Sequence, residues 1–248
     1  MKIFVCFFLW TLFLWSSSPP VMAIDTLSSS VGEESKNSPD AEILTAIAKR
    51  LNAKIVFLHA PFNRRLYLMK NGTIDLMAGL LKRPEREKYI HFVHPPYKER
   101  SDTIFFVPKG KASQILTYND LYPLKIGTLL GSKYFYQFDE DNKLTKEPNP
   151  KGAFNFKKLL LGRLDTVIYA ESTGIDLVHK MGIADQMEIA QFRFSKKKQV
   201  YIGISKHSRL MDNLDEIERT LGQMIACKEI QQIIIDYYTR RNLPVPAL

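Results

Sequence analysis

Residues 71–97, NGTIDLMAGLLKRPEREKYIHFVHPPY, restrict this chain more than any other stretch. An apolar run at 73–78 follows the turn pair Asn71-Gly72 and reads as a buried strand. Gly79 is expected to break that strand, and Pro84 suits the first turn of a new helix. Residues 89–93 return to strand character until Pro95-Pro96 stops it. A strand ending in glycine beside a helix start gathers free backbone N–H groups, and Lys82, Arg83 and Arg86 add charge at the same point. Such a point favours an anion. The plainer alternative is a surface turn with solvated charges.

The flanking segments alternate strand and helix. Residues 24–30 read as a first strand and 41–51 as a helix, with Asp40 as its N-cap and Ile43, Leu44, Ile47, Ala48 and Leu51 on one core face. A strand at 54–58 follows. The sequence PFNRRL at 61–66 then opens a second helix, where Arg64 is either a second anion contact or a plain surface arginine. These units make βαβαβ, which implies a mostly parallel sheet with helices on its faces. Strands are expected at 101–107 and 124–128. After the second of these, Gly131 and Ser132 are expected to open a helix reaching Phe138, offering N–H groups and a hydroxyl to a ligand or acting as an ordinary cap. Residues 139–151 read as a polar surface loop. Helices at 155–161 and 172–181, strands at 165–169, 187–192 and 199–204, and apolar helical segments at 208–226 and 230–238 complete the pattern.

Several motifs resemble family 3 of the bacterial extracellular solute-binding proteins, the periplasmic amino-acid-type substrate-binding proteins of ABC transporters. They are the NG-x-hDhhhxG core with PER and PPY at 71–97, AEILTAIAKRLN before a strand, KIG-x-LLGS at 125–132, and GRLDTVIYAES at 162–172. The resemblance implies a type II periplasmic binding protein-like fold, two α/β lobes with a ligand cleft between them. It places lobe one at 24–108 plus 202–248 and lobe two at 109–201. It also implies that Arg86 grips a ligand carboxylate, that Gly79 lends backbone to the pocket, and that Gly131 and Ser132 meet the carboxylate from lobe two. Two positions depart from the family's amino-acid clamp. Leu81 stands where threonine or serine is usual, and Ala170 where an aspartate usually meets the ligand ammonium. Glu171 follows Ala170, but one residue along a strand reverses the facing side.

Met1-Lys2, the apolar run at 3–15 and the small-residue site ending at Ala23 read as a signal peptide cleaved after Ala23, with the remainder in the periplasm. The formal net charge is +9. Export and the scattered lysines argue against nucleic acid and for an anionic or amino-acid-like solute. The triplet Lys196-Lys197-Lys198 reads as a solvated loop. Once the leader is removed Cys227 is the sole cysteine, which leaves no internal disulfide and suggests a small buried hydrophobe. The five histidines show no metal-ligand spacing, and neither metal nor cofactor is expected. The expected function is solute capture by hinge closure and delivery to a membrane permease or receptor, by a monomer. Two alternatives remain. One is a sensor or partner-binding protein with a degenerate site; the other is an enzyme resembling cyclic-carboxylate dehydratases, for which Glu171, His91 and His94 are the only nominees.

Overall fold

Two sheets of five strands organise the computed structural model, which describes residues 25–32, 37–99 and 102–246. The expected signal peptide and its cleavage point lie outside these residues. The first sheet is built from β1 (Thr26–Val31), β2 (Lys54–His59), β3 (Leu76–Leu81), β4 (Ile90–Phe92) and β10 (Val200–Ser205). Their order across the sheet is β2-β1-β3-β10-β4. The second contains β5 (Thr103–Pro108), β6 (Lys125–Leu129), β7 (Thr145–Asn149), β8 (Thr166–Ala170) and β9 (Met187–Phe194), in the order β7-β6-β8-β5-β9. Each sheet pairs three strands in parallel, and its fourth position is an antiparallel strand arriving from the other lobe. That strand is β10 in the first sheet and β5 in the second.

Sheet membership therefore changes before β5. The strand expected to close lobe one pairs with β8 and β9 instead, so the boundary expected after 108 falls near residues 99–102. The return comes just before β10, at about residue 199 rather than 202. Period-two alternation explains why β5 belongs where it does, since both its faces need cover. Phe105 and Val107 pack with Ile126 and Phe138 on one face, while Ile104 and Phe106 pack with Phe156 and Val167 on the other.

Around the first sheet, α1 (Pro39–Arg50), α7 (Leu214–Ala226) and α8 (Glu229–Thr239) cover one face through Ile43, Ile47, Ile217, Leu221 and Ile234. The helix α2 (Phe62–Lys70) covers the other with Leu68 and Met69. In the second lobe α5 (Gly152–Leu160) and α6 (Glu171–Lys180) flank the sheet, and α4 (Tyr136–Glu140) is a single short turn.

Five local expectations change. Ser38, not Asp40, caps α1, because Pro39 takes the first helical position and the Ser38 hydroxyl accepts from the Ala41 N–H at 3.2 Å. Gly79 does not end β3; it sits inside the strand at φ +80°. Gly131 and Ser132 do not open a helix, since α4 starts only at Tyr136. Residues 145–149 form the edge strand β7, whose polar sequence with Pro148 hides strand character and is tolerated at an edge. Cys227 lies exposed at the end of α7 rather than buried.

The two crossing segments run side by side. The Val200 N–H donates to the Lys98 carbonyl at 2.8 Å, and the Lys198 N–H to that of Glu99 at 2.9 Å. The Ser195 hydroxyl donates to buried Asp102 at 2.8 Å. The hinge is thus a paired ribbon, not two loose linkers.

Candidate functional site

A cavity of about 200 Å³ lies where the two lobes and the hinge meet. Sites for drug-sized ligands enclose about 300–1,000 Å³, so this one suits a smaller solute. The turn from β3 into the short helix α3 (Pro84–Glu87) delivers Gly79, Leu81 and Arg86 to its wall. The start of α2 adds Phe62 and Arg65, α1 adds Asp40, and the hinge adds Tyr97, Lys98, Thr103 and Lys198. From lobe two come Ser132, Lys133 and Tyr134 after β6, Lys151 before α5, and Tyr169 and Ala170 at the end of β8.

Arg86 is 3% exposed. Its guanidinium donates to the Leu81 carbonyl at 3.0 Å and across the cleft to the Gly131 carbonyl at 3.1 Å. Burial lowers its pKa, with the nearby Tyr89, Glu85 and Asp139 opposing that shift. Gly79 combines a left-handed conformation with a close approach, since a Cβ there would stand 2.9 Å from Asp40 Oδ2. Gly131 makes the matching close approach from lobe two, where a Cβ would lie 3.1 Å from Asn63 Cβ.

Four of the six residues singled out by sequence meet at this place: Arg86, Gly79 and Ser132 in the wall, and Gly131 through its carbonyl. Arg64 and Glu171 do not. Arg64 is exposed and stacks over Tyr67 at 4.6 Å, while Glu171 pairs with Arg193 at 2.7 Å. Arg65 turns inward instead. Burial draws its pKa down to about 10 despite neighbouring Asp40, and its buried Nε has no partner among the described residues. Helical spacing carried this signal, since Arg65 stands four residues before fully buried Met69.

Lys198 was hidden in the lysine triplet. The segment between β9 and β10 leaves Lys196 and Lys197 exposed and turns Lys198 inward. Its ammonium donates to the Thr103 hydroxyl at 2.7 Å and the Tyr134 carbonyl at 3.4 Å. Burial pulls its pKa down to about 8, although Asp139 and Asp102 oppose the shift. Asp40 is the single carboxylate among the described residues of the wall. Burial favours its neutral form, but the charge of Lys98 at 3.1 Å and a hydrogen bond from Tyr97 at 2.7 Å hold its pKa below the usual value.

Residues 39–240 match the bacterial extracellular solute-binding proteins, family 3. The chain belongs to this family. Its members are non-catalytic binding proteins, which sets aside the dehydratase alternative. One relative is PatH of Vibrio harveyi, whose name assigns it to amino-acid ABC transport. It is 23% identical over 202 residues, covering 80% of this chain and 79% of that one. A histidine-binding protein by name, from Neisseria gonorrhoeae, is 31% identical over 137 residues, 52% of this chain and 48% of the relative.

Among solved structures, ArgBP from T. maritima superposes with a TM-score of 0.73 at 19% identity, covering 86% of this chain and 95% of that one. An arginine-specific periplasmic binding protein of Salmonella typhimurium gives 0.71 at 20%, covering 86% and 98%. The fold is the two-lobed, type II periplasmic binding protein architecture.

Proposed function

We propose that this solute-binding protein serves an amino-acid-type ABC transporter, capturing a small carboxylate-bearing solute between its lobes and presenting the closed form to a membrane permease. The observation that supports this most is the placement of Arg86, a buried cation in the wall of an inter-lobe cavity that reaches backbone of both lobes. A carboxylate entering there would exchange neutral acceptors for a charged one, and bonds of that kind are about twice as strong as neutral ones. Ser132 would add a hydroxyl, and the backbone around Gly79 and Gly131 would shape the wall. Arg65 replaces Arg64 in this set, and Glu171 is left out because Arg193 occupies it. The bodies that move would be the two sheets with their helices, turning about the paired crossing segments.

Membership of an extracellular family, together with the signal-like start, supports a periplasmic site of action. No helix among the described residues is long and apolar enough to cross a membrane. A thermal-shift screen of the protein lacking residues 1–23 against amino acids and other small carboxylates, repeated with Arg86→Ala, tests the reading. A hit should raise the native midpoint and vanish in the variant, since ligand at a hundredfold excess over Kd adds about 2.7 kcal/mol. A hit that survives Arg86→Ala would move the site elsewhere.

A further inference from the structure

Three of the four similar proteins named above are described by a basic amino acid, yet the wall of this cavity is unsuited to a cation. Among the described residues Arg65, Arg86, Lys98, Lys133, Lys151 and Lys198 line it, against the one carboxylate of Asp40. That carboxylate is already engaged through Oδ1, which receives the Tyr97 hydroxyl and the Lys98 ammonium. The other nearby carboxylates also face partners, Asp102 toward Ser195 and Arg193 and Glu171 toward Arg193. Ala170, at the lobe-two end of β8, offers no charge. Aromatic faces could take an ammonium instead, but Phe62 already carries the guanidinium groups of Arg65 and Arg86, at 5.1 and 5.6 Å, and Tyr97 carries Lys98 at 5.0 Å.

One carboxylate on Arg86 leaves the wall strongly positive. Among the described residues, two of the remaining cations make no hydrogen bond or ion pair to an anion. Lys198 donates only to neutral oxygens, and the one bond from Arg65 is a 3.4 Å contact to the Ser30 carbonyl. The buried Arg65 Nε has none. Charges drawn away from water in this way are costly until an opposite charge arrives.

We propose that this cavity selects a small dicarboxylate over zwitterionic and basic amino acids, with one carboxylate on Arg86 and Ser132 and the second drawn by the other basic side chains of the wall, Lys198 foremost. The inference rests on the receptor reading and narrows its ligand class. The ligand needs no ammonium, because the one carboxylate among the described residues of the wall, Asp40, already holds the Lys98 ammonium and the Tyr97 hydroxyl. A basic amino acid would place a further positive charge among six, which the low-dielectric closed cleft penalises more than water does.

Isothermal titration at neutral pH tests this, using the full chain without residues 1–23 and malonate, succinate, glutarate, L-glutamine, L-histidine and L-arginine as probes. At least one dicarboxylate should bind tenfold or more tightly than every amino-acid probe. Lys198→Gln should weaken that dicarboxylate by about tenfold to hundredfold, the worth of a charge-assisted bond. Lys198→Arg should restore most of the loss, with unfolding midpoints showing that both variants fold. Tightest binding of arginine, histidine or glutamine would overturn the inference while leaving the receptor reading standing. Dicarboxylate binding that is indifferent to Lys198→Gln would overturn the assignment of Lys198 and with it the second subsite. Silence from every probe would remove both the inference and the reading beneath it.

Discussion

The lobes touch along two seams that solve the same problem with different chemistry. At the first, beside α3, Arg86 reaches the Gly131 carbonyl and Arg83 pairs with Asp139 at 3.0 Å. At the second, α8 of lobe one meets α6 of lobe two. The Tyr237 hydroxyl lies 2.9 Å from Asp176 and 2.6 Å from the Asn37 carbonyl, and the Tyr238 hydroxyl donates to the Ser172 carbonyl at 2.9 Å. Lys180 completes that group, at 2.6 Å from Asp176. Both tyrosines are fully buried. The first seam is made of groups that a ligand can compete for. The second contributes little to the cavity wall, so a ligand does not compete for its contacts. Recognition and closure are thereby assigned to different residues, and each can be broken separately.

Arg86→Ala breaks the first seam and should produce the largest effect. A hundredfold or greater loss of ligand affinity is expected, on the order of 3 kcal/mol for a charged hydrogen-bonded contact, measured by titration calorimetry. Its unfolding midpoint should move far less, because the freed Leu81 and Gly131 carbonyls face a cavity that water can enter.

Tyr237→Phe breaks the second seam. It takes the hydroxyl away from one Asp176 oxygen and from the Asn37 carbonyl, which keeps the Lys180 ammonium at 3.2 Å, and should cost the closed form about 1–2 kcal/mol. Affinity for every ligand should fall by the same factor, roughly five- to thirtyfold, and small-angle scattering of the unliganded variant should show a larger radius than wild type. A loss confined to one ligand class would mean that the second seam takes part in recognition after all.

The pH sharpens the same contrast. Lys198 faces Thr103 and Tyr134, with Asp102, Asp139 and Arg83 as its charged neighbours. Its pKa of about 8 in the folded protein lies below the 10.5 of an ordinary lysine. Between these two values the unfolded chain binds more protons than the native one, so this residue makes unliganded stability rise as pH rises through that window. Affinity for an anion should move the opposite way, falling as the ammonium is lost above about pH 8. Denaturant midpoints and calorimetric affinities across pH 7–10 should therefore diverge in wild type and run without that divergence in Lys198→Met. The smallest effect belongs to Arg64→Ala, which should leave affinity unchanged and stability within about 0.5 kcal/mol.

The fold was open to reading because its signals are periodic. The apolar spacing in α1 and the β-rich runs appear in the sequence as they do in space. Arg86 was legible because glycine, proline and arginine sit at fixed offsets around one turn. What escaped depended on orientation within one residue. Arg64 and Arg65 are chemically identical neighbours, and only a rotation of about 100° on the helix decides which faces the cleft. Lys198 differed from Lys197 only in the direction that the irregular crossing segment gives its side chain. Asp40 looked like a cap because capping is the commonest use of an aspartate before a helix; its real partners, Tyr97 and Lys98, come from a segment far along the chain. The edge strand β7 lacked apolar pattern because it has little to bury.

The pairing of Arg86 with the Leu81 and Gly131 carbonyls has a consequence for traffic at the membrane. Arg86, the least exposed cation among the described residues, is satisfied by backbone of both lobes, so a shut shape does not depend on a cargo carboxylate to neutralise it. A permease that read shape alone would then count idle receptors among the laden ones and spend nucleotide on empty deliveries. Fidelity would have to come from occupancy: cargo wins at the permease by making the shut shape more frequent, in proportion to how much better than a peptide oxygen its carboxylate suits Arg86.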